Sequence, residues 1–203
     1  MKEKSKKLFF ASVLICIWLP ASLLFSYLSI AVLPSAGFAV EASARTGQRI
    51  ITIINILLFC NCAWNMRESK RLLLPLCTYI MTQIIEVLFP LAVVTSNHLL
   101  PIRSMIFLAV KLLADVSLVL FYTAFSHHPE KRLRTISILA SVGGSMYVIS
   151  RILDVMAALS AGLSEIAYMN ISAISSIMLM IGFLLSMSFW ITFATVMKKI
   201  SNA

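Results

Sequence analysis

Charge is scarce in this chain, and where it is missing says as much as where it occurs. Asp, Glu, Lys and Arg make up 12% of the 203 residues, against 60% apolar. That balance excludes an ordinary soluble domain, where about a quarter of residues are charged. Glycine and proline number six each and histidine three. No Gly-rich phosphate loop, no H-E-x-x-H and no G-x-S-x-G occurs, so the ATPase, zinc-protease and α/β-hydrolase readings lack their residues. His98, His127 and His128 all lie outside the apolar runs. A serine nucleophile inside a membrane would therefore have no imidazole base, and an intramembrane haem no axial histidine. Four cysteines, Cys16, Cys60, Cys62 and Cys77, sit within or at the ends of apolar runs and form no disulfide framework. Cys60 and Cys62 are too close for the usual zinc spacing and have no second pair. Neither a metal nor a cofactor is expected, and the chain does not read as an enzyme.

What the chain does contain is six long apolar runs, at 8–33, 50–66, 72–95, 104–125, 135–161 and 166–197. About 20 residues rising 1.5 Å each cross a hydrocarbon core of about 30 Å, so each run is a candidate transmembrane helix. The expected fold is an all-α integral membrane protein, a single polytopic domain over 1–203. A basic mark punctuates it: Lys6-Lys7-Leu8, Lys70-Arg71-Leu72, Lys131-Arg132-Leu133 and Lys198-Lys199-Ile200. Two runs lie between each successive pair of marks, which predicts three hairpins. Any six-span chain with both ends on one side shows such spacing, so no internal triplication is needed.

Orientation follows from counting Lys and Arg on each side. Twelve fall on the side of the termini: Lys2, Lys4, Lys6, Lys7, Arg67, Lys70, Arg71, Lys131, Arg132, Arg134, Lys198 and Lys199. Three fall on the other: Arg45, Arg49 and Arg103. The positive-inside rule then puts both termini in the cytoplasm, and the expected location is a bacterial cytoplasmic (inner) membrane. The net charge of +9 is concentrated in these end clusters, suiting anionic headgroups and the lipid bilayer rather than nucleic acid. Between the runs, 34–49 is the longest outer connection, with room for a short surface helix. Pro20 should kink the first span, while Pro75 sits in the first turn of the third.

The chemistry rests on charges at membrane depth: Glu86, Lys111, Asp115, Arg151 and Asp154. An ionised side chain at a helix centre costs about 2.5–3.5 kcal/mol on insertion scales, so these groups should face a protein interior or water. Lys111 and Asp115 are four apart and Arg151 and Asp154 three apart, so each pair can neutralise itself within one helix as an intramembrane ion pair. By helical rise, Glu86 lies roughly 21 Å and Arg151 roughly 24 Å from the cytoplasmic starts of their spans. Tyr79 and Gln83 join Glu86 on one stripe of the third helix, and Tyr122 shares a stripe with Lys111 and Asp115 on the fourth. Tyr79, Gln83, Glu86, Lys111, Asp115, Arg151 and Asp154 are thus the candidate polar cluster, in the outer half of the bundle. Small residues on the last two helices, among them Gly144, Ser145, Gly182 and Ser186, are candidate packing positions.

Two functions are expected from this pattern. In one, the cluster binds or transports a small solute or ion. The loops are too short for a nucleotide-binding domain, so an ion gradient or partner subunit would supply the energy. In the other, the charges only fix helix packing. The chain is then a non-catalytic sensor or assembly subunit acting through a partner membrane protein or a homo-oligomer.

Overall fold

The computed structural model describes residues 2–32, 38–88, 100–160 and 165–202, and the side chains among them except 26–32, 38–45, 100–105, 107 and 157–160. Six helices account for nearly all of it, with no strand among the described residues: α1 Lys2–Val32, α2 Phe38–Asn65, α3 Lys70–Leu88, α4 Leu100–Ala124, α5 Lys131–Ser160 and α6 Glu165–Asn202. Five are long and apolar enough to cross a membrane. The exception is α4, whose unbroken stretch of described side chains, 108–124, is shorter than a full crossing. Large aliphatic side chains such as Leu14, Leu57, Leu74, Leu120, Ile149 and Leu184 are exposed around the outside of the bundle. Acyl chains would cover such a surface; water would not. The architecture is that of a multi-pass membrane protein.

Several boundaries differ from those read off the sequence. The connection expected over 34–49 is helical from Phe38 onward and runs without a break into the second span. Ala39, Glu41, Ala42 and Ala44 are good or neutral helix formers, and no proline follows to stop them. Pro75 lies six residues into α3 rather than in its first turn, because the helix begins at Lys70. The Arg71 carbonyl therefore loses its usual i+4 donor. Helix α1 continues through Pro20, two residues before Ser22, whose hydroxyl donates to the Leu19 carbonyl at 2.8 Å. The expected span ends at Leu33, Thr95 and Ala161, together with Pro34, Pro90, His98 and the turn at 162–164, lie outside the described residues. So do the side chains of Glu41, Arg45 and Arg103.

The six helices form one closed ring. Each packs against its neighbours in the chain, and α6 packs against α1 to close the circle; across the ring the backbones stay apart among the described residues, and only side chains meet. Contacts between α2 and α3, and between α4 and α5, are as extensive as those inside the first two expected hairpins, and only the α5–α6 pair is packed more extensively. Short turns make this possible. The Ser69 backbone carbonyl opens α3 by accepting from the Leu72 and Leu73 amides at 3.1 and 2.9 Å. At the start of α5, the Glu130 carbonyl accepts from Arg134 at 3.0 Å, and the Glu130 amide donates to His128 Nδ1 at 3.2 Å.

The tightest seam joins α5 to α6. Gly143 and Gly182 face each other so closely that a Cβ on Gly182 would stand 2.7 Å from the Gly143 carbonyl oxygen. Seven residues away along each helix, the Ser150 and Ser175 hydroxyls meet at 2.8 Å. Small side chains two turns apart on both helices let the backbones approach, a standard basis for association in lipid. The residue opposite Gly182 is thus Gly143, whereas Gly144 faces Val119 of α4. Ser145 is exposed and donates back to the Ser141 carbonyl at 3.1 Å, so it takes no part in the seam.

Side chains fill the centre of the ring near the end that carries both termini. Phe59, Phe121, Phe125, Phe189, Trp190 and Phe193 are each at most 5% exposed and contact one another in edge-to-face and stacked pairs. Centroid separations of 5.3 to 6.0 Å fall in the favourable range for aromatic pairs. Ala11, Ile15, Leu76, Ile80 and Leu133 complete this plug, to which all six helices contribute.

Candidate functional site

Above the plug the interior turns polar. A cleft of about 200 Å³ is lined from every helix, including Leu19 of α1, Phe59 of α2, Tyr79 and Gln83 of α3, Lys111 and Asp115 of α4, Tyr147 and Arg151 of α5, and Ser186 and Trp190 of α6. A second space of about 240 Å³ adjoins it, sharing Leu19, Gln83, Lys111, Tyr147, Arg151 and Phe183 and adding Glu86, Gln48, Thr52 and Asn55. Both are smaller than the roughly 300–1,000 Å³ of drug-sized sites, and suit a small solute or several waters.

The shorter charge contacts link neighbouring helices rather than residues of one helix. Lys111 Nζ reaches across from α4 to both carboxylate oxygens of Glu86 on α3, at 2.6 and 2.7 Å. Arg151 on α5 lies with its Nε 3.5 Å from Asp115 Oδ2 on α4, and its terminal nitrogen lies 3.8 Å from Asp154 on its own helix. Ser175 of α6 donates to Asp154, which extends the chain of polar contacts across four consecutive helices. The expected pairing of Lys111 with Asp115 gives way to the Glu86 contact because α3 lies alongside α4 and offers a carboxylate at the same height. The Arg151–Asp154 pairing within α5 is present but longer.

No family profile, curated protein or solved structure matches the chain. The site must stand on its own geometry. Tyr79, Gln83, Lys111, Asp115 and Arg151 line the central cleft, and Glu86 lines the space beside it. Asp154 lines neither space, its side chain being half exposed on α5. Ser186 belongs to the cleft wall in addition to being buried on α6.

Two polar atoms facing the central cleft, Asp115 Oδ2 and Arg151 Nε, are buried without a hydrogen bond of good geometry, while the Ser186 hydroxyl and the Trp190 indole lie within reach of the Tyr122 hydroxyl, and Ser186 within reach of Tyr147 as well. Asp115 and Arg151 face each other at ion-pair distance, but not at hydrogen-bond geometry. Asn55 Oδ1, in the adjoining space, is likewise without a partner. Such atoms are few in folded proteins, because each costs roughly 1–3 kcal/mol when left unpaired. Three around one pair of adjoining spaces, beside a cluster of tyrosine hydroxyls, amount to a set of donors and acceptors directed at common ground. Among the described residues no group of three His, Cys, Asp or Glu side chains is placed to hold a metal.

Sequence reading passed over the α2 wall, Tyr147 and Trp190. A signal existed for the first: Gln48, Thr52 and Asn55 fall at i, i+4 and i+7, a polar stripe on an otherwise apolar helix. Tyr147 lies one turn before Arg151. Trp190 carried no signal, since an indole in an apolar run reads as packing.

Proposed function

We propose that this chain binds a small polar solute or ion in the central cleft, as a membrane-embedded binding or transport protein with six crossings. In this reading α4 is the sixth crossing, its Lys111 and Asp115 shielded from lipid by α3 and α5. Both termini lie in the cytoplasm, because the Lys and Arg residues gather at the end where α1 begins and α6 ends. The expected membrane is the bacterial inner one. The observation that carries the proposal is a polar space lined by all six helices, where the buried Asp115, Arg151 and Asn55 side chains are short of hydrogen bonds. A purely structural charge network would be expected to satisfy such atoms internally. The aromatic plug supports a site reached from the far side: it seals the ring towards the cytoplasm in the conformation described.

The test uses the full chain in lipid nanodiscs, screened by thermal shift against amino acids, sugars, organic acids and monovalent ions. A solute that stabilises the wild type, but not folded Asp115→Asn or Trp190→Phe variants, supports the reading. If no solute acts and these variants instead lose capture of a partner membrane protein, the chain is a sensor or assembly subunit.

A further inference from the structure

At the end where α1 begins and α6 finishes, the structure holds a further cavity, of about 440 Å³, on the seam that closes the ring. Lys2, Lys6 and Lys198 line it together with one carboxylate, Glu3, and the polar Ser201 and Asn202, with Phe9 and Phe10 as its apolar wall. Phe10 is 55% exposed, and Lys198 Nζ stands 6.0 Å from the centre of the Phe9 ring. Three carboxylates lie at this end among the described residues, and each has a lysine from elsewhere. Glu3 pairs with Lys7 at 2.8 Å, Glu130 with Lys199 at 3.9 Å, and Glu68 with Lys4. Lys2, Lys6 and Lys198 have no carboxylate partner among the described residues. Lys6 and Phe10 are one turn apart, so the ammonium stands roughly 6 Å nearer the chain ends than the ring. A phosphate just outside the hydrocarbon, with its acyl chains just inside, has that arrangement.

We infer that this cavity is a binding site for the headgroup of an anionic phospholipid, which bridges α1 and α6. The lysines take the phosphate, and Phe9 and Phe10 pack against the glycerol and upper acyl chain. This site is separate from the central cleft and needs only that the basic end lies at a membrane surface. The lipid would act as a clamp on the seam where the first and last helices close the ring.

Native mass spectrometry of the full chain in detergent, with equal phosphatidylglycerol and phosphatidylcholine, tests the site. Each lysine at an anionic surface contributes about fivefold in binding, so a K2Q/K6Q/K198Q variant should bind phosphatidylglycerol about a hundredfold more weakly. The control K131Q/R132Q/R134Q removes the same charge from the same end and should leave retention within a few-fold. Phe10→Ala should weaken retention of the lipid but not of soluble glycerol phosphate. Equal loss in the control means diffuse attraction to the charged end and overturns the site. No loss in the triple lysine variant overturns it too, as does glycerol phosphate competing as well as the lipid. Wild-type far-ultraviolet circular dichroism in every variant keeps these outcomes clear of misfolding.

Discussion

Replacing Gly182 by alanine should loosen the α5–α6 seam, and the size of the effect follows from one contact. The added Cβ would stand 2.7 Å from the Gly143 carbonyl oxygen, against 3.4 Å or more for ordinary contact, so the overlap is about 0.7 Å. The opposing atom is backbone, and no rotamer change relieves it. Either the helices move apart or the carbonyl tilts out of its own helix. Overpacking of this kind costs about 1–3 kcal/mol, offset by about 1 kcal/mol because alanine is the better helix former. The net expectation is a loss of up to about 2 kcal/mol. Gly144→Ala is the matched comparison: its Cβ would meet the Val119 methyl at a similar 2.7 Å, but a side-chain methyl can give way. Unfolding by SDS titration, followed by tryptophan fluorescence in mixed micelles, measures both. Gly182→Ala should unfold at lower denaturant than wild type, and Gly144→Ala closer to it. If Gly182→Ala proves as stable as Gly144→Ala, the close approach of the two backbones is wrong. The same clash includes Tyr147 at 3.2 Å, so the variant should also reshape the central cleft.

Single substitutions Glu86→Gln and Lys111→Met should each cost about 2 kcal/mol, because each strands a charge that is mostly shielded, while the double variant should approach wild type. A double-mutant cycle in the same unfolding assay gives the coupling, and additive losses would refute the pair. Ser175→Ala removes hydroxyl contacts to both Ser150 and Asp154 and should cost about 1 kcal/mol in that assay. His128, in the α4–α5 turn, has its pKa held below the usual imidazole value by burial, with Glu130 pulling weakly the other way. The unfolded chain then takes up this proton first, so stability is whole above about pH 6.5 and declines as pH falls towards the lower folded value. Protonation also removes the Nδ1 acceptor for the Glu130 amide. His128→Gln should flatten that part of the pH–stability curve. Glu68 shifts down through its contact with Lys4, so the turn-to-α1 contact should persist above the normal carboxylate range and fade in more acid solution. Loss of a Lys4–Glu68 zero-length crosslink as pH falls checks this.

Helix number and the places of the turns at the basic end were legible because lipid imposes a length and a composition on anything that crosses it. Residue 70 opens both the expected basic mark and the actual α3, and 131 does the same for α5. The start of α2 was not legible, since Ala-rich sequence outside the apolar run is compatible with loop or helix until something continues it. The polar residues of α3 to α5 could be listed from their depth alone. Their partners could not: spacing of three or four along one helix competes with a neighbour at the same height, and only the packing decides. Lys111 illustrates this, with Asp115 one turn away in sequence and Glu86 25 residues away supplying the short contacts. Gly143 and Gly144 are adjacent in sequence yet serve different neighbours, a distinction set by about 100° of helical rotation.

The circular order of the helices has a kinetic meaning. A newly inserted helix finds its packing surface on the segment made immediately before it, so assembly can keep pace with synthesis and involves little long-range search. The exception comes last, when α6 must locate α1 across the whole length of the chain. That step should be the slow one, and until it is complete the nascent protein is an open arc with both edges available to other helices.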